Sequence, residues 1–119
     1  MKQLDENRLL SLTRALTAKL KNVHGPTYRV AAAAFSKKGD LIGVATNGWR
    51  ELLTVRRGTG RHAEATLMKK YGRRISIIYI LRVGRALDIL PIHPCPSCAT
   101  MAAKLEVKIV PIHEELGLW

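Results

Sequence analysis

Two short stretches constrain this chain more than anything else in it: His62-Ala63-Glu64 and, 31 residues beyond Glu64, Cys95-Pro96-Ser97-Cys98, itself preceded by Pro94. An imidazole and two thiolates are three good ligands for zinc, and three protein ligands leave a coordination position open for water. Cys95 and Cys98 stand one helical turn apart, so both sulfurs face the same side of a helix start. Pro96 suits the first turn of that helix, where a missing N–H costs nothing. Unpaired N–H groups at that end favour thiolates. His62 belongs to a different helix start, so a fold that uses these residues must bring two helix N-termini together. The chain has 2 cysteines in all, which suits metal or redox chemistry and not a disulfide framework.

The rest of the chain reads as alternating helices and strands. Leu9, Leu12, Leu16 and Leu20 recur at helical spacing, with Ala15 and Val23 flanking the stripe, which predicts a first helix from about Leu4 to Lys21. Asp5 and Glu6 at its start and Lys19 and Lys21 at its end complement the helix dipole, and Gly25-Pro26 stops it. Tyr28 to Ser36 and Leu41 to Thr46 read as two strands joined across Lys37-Lys38-Gly39-Asp40. A glycine-marked loop, Asn47 to Arg61, leads to a second helix that opens near His62 and ends at Gly72. Ile75 to Val83 is nearly all apolar, as a strand buried on both faces should be. A third helix opens at Cys95, and Val107 to Ile112 makes a fourth strand. The order α-β-β-α-β-α-β predicts an α/β fold, a three-layer α-β-α sandwich with a mixed sheet. At 119 residues, 1–119 is expected to be one domain.

Charge adds a weaker constraint. Lys and Arg number 20 against 9 Asp and Glu, a net charge of +11. Such a field attracts polyanions, membranes or phosphorylated small molecules without choosing among them. A solvated, solubilising surface is the plainer reading. Local groups stand at Lys37-Lys38, Arg56-Arg57, Lys69-Lys70 and Arg73-Arg74. No stretch approaches the roughly 20 apolar residues that span a bilayer, and the first six residues carry no apolar signal core. The expectation is a cytoplasmic protein with no membrane partner.

An H-x-E followed by P-C-x-x-C is the signature of zinc deaminases acting on nucleobases. On His62, Glu64, Pro94, Cys95 and Cys98 the chain resembles the cytidine deaminase superfamily, and the expected element order is similar over most of its length. Family members usually continue past the fourth strand with another strand and one or more helices, whereas only His113 to Trp119 remain here. The segment that lines the substrate in relatives is therefore expected to be absent or replaced. The resemblance implies zinc as cofactor, held by His62, Cys95 and Cys98. It gives Glu64 the catalytic role, moving protons between water, the ring nitrogen and the leaving amine. It also implies that Ala63 offers its backbone N–H to the base and that Asn47 contacts sugar or base, although Asn47-Gly48 is equally what a plain turn uses. The implied reaction is hydrolysis of a cytosine base in cytidine, deoxycytidine or dCMP to uracil with release of ammonia. A homo-oligomer is also implied.

Each feature has a duller account. C-x-x-C opening a helix is also a redox arrangement, but that leaves His62-Ala63-Glu64 without a task. A structural zinc could take His93 as a fourth ligand. His24 and His113 read as ordinary surface or turn histidines. Trp49 either stacks on substrate or caps the core, and Arg56, Arg57 and Arg61 either hold a phosphate or are solvated loop charges. A base within single-stranded DNA or RNA, cytosine or tRNA adenosine, is the rival substrate, supported by the net charge. A polynucleotide needs stacking platforms as well as a basic groove, and this chain has 1 Phe, 3 Tyr and 2 Trp. A non-catalytic, zinc-stabilised nucleic-acid-binding module is the third alternative, and it has no use for Glu64.

Overall fold

In the computed structural model, which describes residues 2–21, 29–47 and 62–118, the first helix begins where the sequence supplies a cap. The Asp5 carboxylate accepts the Arg8 N–H at 2.9 Å, satisfying one of the orphan donors of α1 (Glu6–Leu20). Its buried face is Leu9, Thr13, Leu16 and Leu20. Thr13 takes the place expected for Ala15, which is exposed; its hydroxyl is satisfied within the helix by donating to the Leu9 carbonyl at 2.8 Å.

Strands β1 (Arg29–Ser36) and β2 (Leu41–Thr46) form the expected hairpin. Helix α2 (Ala63–Tyr71) is followed by a 3-10 turn, Gly72–Arg74, and by β3 (Ile75–Val83). Two elements escaped the sequence reading. The two-residue strand β4 (Ile89–Leu90) precedes helix α3 (Pro96–Leu105), and after β5 (Lys108–Pro111) comes a short helix, α4 (Ile112–Glu115), where the last strand residue and a tail were expected. Both are too short to leave a periodicity. Val23, His24, Gly25-Pro26, Tyr28, Trp49, Arg56, Arg57, Arg61 and Trp119 lie outside the described residues.

The sheet runs β2-β1-β3-β4, with β5 also beside β3. β1 is antiparallel to both β2 and β3. β5 is parallel to β3, which α3 makes feasible as the crossover. Alternation along β1 divides the core in two. Ala31, Ala33 and Phe35 join Leu9, Leu16 and Leu20 of α1 on one face, while Val30, Ala32 and Ala34 meet Ala63, Leu67 and Met68 of α2 and Cys98 and Ala102 of α3 on the other. The four consecutive alanines are wholly buried. Their small side chains allow helices to approach both faces closely, giving the expected three layers with a mixed sheet.

Close approach also explains Gly43. A Cβ there would lie 2.5 Å from Tyr71 Cε2 and 3.1 Å from Leu67 Cδ2, so β2 seats α2 against bare backbone. Gly43→Ala is expected to destabilise the fold by about 1–3 kcal/mol through overpacking. Urea denaturation should show a lower midpoint with an unchanged slope.

Candidate metal centre and active site

Helices α2 and α3 pack side by side on one face of the sheet, and their N-termini meet at its carboxyl end, beyond β3 and β5. That is where open α/β sheets place ligands. His62 is the N-cap of α2 and Cys95 the N-cap of α3. Cys95 Sγ accepts the Cys98 N–H at 3.4 Å, so one cysteine fixes the turn that presents the other. Cys98 Sγ lies 3.5 Å from His62 Nδ1. One ligand atom from each of His62, Cys95 and Cys98 falls within 4.8 Å of the others.

Zinc bonds of about 2.3 Å to sulfur and 2.0 Å to nitrogen, set at a tetrahedral angle, would separate the two atoms by about 3.5 Å. The Cys98–His62 spacing fits that geometry without rearrangement, and two sulfurs with one imidazole suit zinc. Both cysteines are unpaired, not joined as a disulfide.

Glu64 is buried, 4% exposed, on the first turn of α2. Its Oε1 stands 3.6 Å from His62 Nδ1 and 3.6 Å from Cys98 Sγ. Helical geometry alone would turn Glu64 some 200° away from His62. His62, however, sits at the cap with extended backbone (ψ 139), so the two side chains converge. Burial pushes the Glu64 carboxyl above its usual range, opposed in part by the neighbouring imidazole.

Burial also pushes the Cys98 thiol well up, and the neighbouring Cys95 and Glu64 add to the shift. This reverses the expectation that the helix N-terminus would hold it as a thiolate: desolvation outweighs the dipole when the residue is 3% exposed. Cys98 therefore carries its proton in the metal-free chain and donates it toward Glu64. A metal must displace that proton.

Ala63 is fully buried at the first residue of α2. Asn47 is tied into the sheet: its Oδ1 accepts the Val30 N–H at 2.7 Å, and its own N–H donates to the Val30 carbonyl at 3.1 Å. The asparagine closes the end of the β1–β2 pair.

His93 does not join His62 and the cysteines. It belongs to a second group with His113 and Glu114, its Nδ1 3.4 Å from Glu114 Oε1. This removes the structural-zinc assignment that needed His93 as a fourth ligand. His113 is also not the surface or turn histidine that its sequence position suggested, being 2% exposed. Its Nδ1 accepts the Ile92 N–H at 3.4 Å, so the neutral ring carries its proton on Nε2, facing Glu114 Oε1 at 4.0 Å. With its Nδ1 engaged by the Ile92 N–H, His113 braces the segment entering Cys95. Its sequence signal was the apolar run Val107 to Ile112, which leads straight into His113.

No family model matches the chain, and no curated protein does. Solved structures do. Cytidine deaminase from Mycobacterium leprae is 22% identical with a TM-score of 0.59, over 96% of this chain and 98% of that one. The fold is that of the cytidine deaminases. The cytidine deaminase from Mycobacterium tuberculosis gives 20% identity and a TM-score of 0.55, covering 96% of this chain and 95% of that one. The enzyme from Burkholderia pseudomallei gives 20% and 0.54, covering 82% and 76%.

Proposed function

We propose that the protein is a zinc-dependent hydrolytic deaminase that converts the cytosine base of a free nucleoside or nucleotide to uracil. One observation carries the reading: three zinc-type ligand atoms converge while a buried carboxylate, Glu64, lies 3.6 Å from two of those side chains. His62, Cys95 and Cys98 would hold the ion. When bound, zinc supplies the Lewis-acid chemistry that makes water a competent nucleophile near neutral pH.

The remaining work falls to the chain. Glu64 takes one proton from the water that attacks C4 of the base and delivers it to the ring nitrogen. It then takes the proton of the hydroxyl now on C4 and gives it to the departing amine as the carbonyl forms and the C4–N bond breaks. A carboxyl raised by burial suits a group that must hold a proton and give it up in the same cycle. The Ala63 N–H, at the positive end of α2, orients the base. Asn47 fixes the strand end beside it and contributes to sugar or base binding. The structural-module alternative is disfavoured, because a purely structural site has no use for a buried carboxylate at this position.

The net charge of +11 favours a second reading, deamination of a base within single-stranded DNA or RNA. A homo-oligomer belongs to the proposal as well: among the described residues β2 is an outer strand, exposed at Leu41 and half-buried along the rest, an edge to which a partner subunit could pair. Among the described residues no helix is long and apolar enough to cross a membrane, and a cytoplasmic setting is part of the reading.

Ammonia release by the zinc-loaded protein, screened across cytosine, cytidine, deoxycytidylate, guanine, adenosine and single-stranded oligonucleotides, tests this. Turnover of the free cytosine compounds is expected. Turnover of oligonucleotides alone would promote the second reading, and inactivity toward the whole set would sink both.

A further inference from the structure

Three pairs of basic residues that lie apart in the sequence meet at one end of the fold. The register pairing Ser36 with Ile75 sets the β1–β2 turn, with Lys37 and Lys38, beside the 3-10 turn that holds Arg73 and Arg74. Each cation is within two residues of that cross-strand pair, which keeps the four Cα atoms within about 20 Å. Lys69 and Lys70 close α2 at the same end, and Lys104 lies in the last turn of the neighbouring α3. All seven side chains are exposed. Asp40 and Glu106 are the acidic residues among these turns and helix ends.

Tyr71 organises part of the group. Lys70 Nζ lies 5.4 Å and the Arg74 guanidinium 5.2 Å from its ring centroid. The ring holds together two cations that would otherwise repel. Both helices begin at the His62–Cys95–Cys98 cluster and end here, so one helix length, nine residues of α2 or about 13 Å, separates this end from the metal centre.

We propose that this basic end docks the phosphate backbone of a nucleic-acid strand, holding the protein on a polyanion without presenting its bases to the metal centre. The contact uses charge and not stacking, which suits a chain with few aromatic residues. A lipid surface fits less well. Interfacial binding buries an apolar face, and the exposed large apolar side chain at this end, among the described residues, is Leu41 alone.

The proposal stands independently of the deaminase reading and is tested by binding. Fluorescence anisotropy with a labelled 20-nucleotide single-stranded DNA should give an affinity that falls steeply with salt. A slope of log K against log salt near −4 is expected if about six phosphates are engaged. The double variants R73E/R74E and K37E/K38E should each lose at least tenfold in affinity and show a shallower slope. R14E/K19E, which reverses two exposed charges of α1 on the other face of the sheet, should bind nearly as wild type. Zinc content and any turnover of free nucleosides should be unchanged in all three, which separates this test from the catalytic one. Salt-independent binding, equal losses in all three variants, or binding to anionic vesicles without binding to the oligonucleotide would each overturn the proposal.

Discussion

Glu64→Gln is expected to leave a folded, zinc-loaded protein that has lost turnover by about 10² to 10⁴, the range associated with one positioned acid–base group. The substitution keeps the shape of the side chain and removes only its capacity to carry protons. Because Glu64 is buried against Cys98 and His62, a larger or smaller residue would disturb the ligand cluster and confuse the outcome. The decisive comparison is kcat for a cytosine nucleoside, set beside metal content and circular dichroism of the same preparation. Retained zinc and fold with lost turnover assign Glu64 to catalysis. Unchanged kcat in the glutamine variant would overturn the deaminase mechanism, which rests on the Glu64 carboxylate lying 3.6 Å from both His62 Nδ1 and Cys98 Sγ.

The second large effect concerns the metal and stability together. Cys98→Ser should reduce bound zinc from one per chain to a small fraction, because the remaining His62 and Cys95 form only a two-ligand site. His62 and the cysteines belong to different helices, so a bound ion would tie α2 to α3 and stabilise the native state by mass action. At a free zinc concentration a thousand times Kd the gain is about 4 kcal/mol, a rise in melting temperature of roughly fifteen degrees for a chain of this length. Chelation should remove that rise in the wild type and leave Cys98→Ser unaffected. Stoichiometric zinc in the serine variant, or melting that ignores chelator, would count against the assignment. The Cys98 thiol starts protonated, so zinc binding should also release protons, measurable in a weakly buffered titration.

The local elements were legible because each rests on short-range chemistry. Asp5 caps α1, Pro96 and Cys95 open α3, Gly72 ends α2, and the apolar run Ile75 to Val83 is a buried central strand. The pairing of H-x-E with P-C-x-x-C named the side chains that the fold then brings within ligand distance. Element order likewise implied a mixed sheet with helices on both faces, since a buried strand must be covered on each side.

Other features depended on which residues become neighbours, and no local pattern carries that. His113 looked like a tail residue until β5 placed it under the segment entering Cys95, where its ring accepts the Ile92 N–H. Asn47 could be placed at a strand end from the sequence, but only the β1–β2 register shows its amide oxygen on the Val30 N–H. The Cys98 thiol looked like a thiolate at a helix start until packing removed it from water, and desolvation, a property of the surrounding volume, outweighed the dipole. The sequence contains every lysine and arginine of the basic end, yet only the Ser36–Ile75 register and the parallel course of α2 and α3 gather them. Capping, periodicity and ligand type act over one to four residues and so can be read along the chain; burial, register and electrostatic convergence exist only once distant segments are packed together.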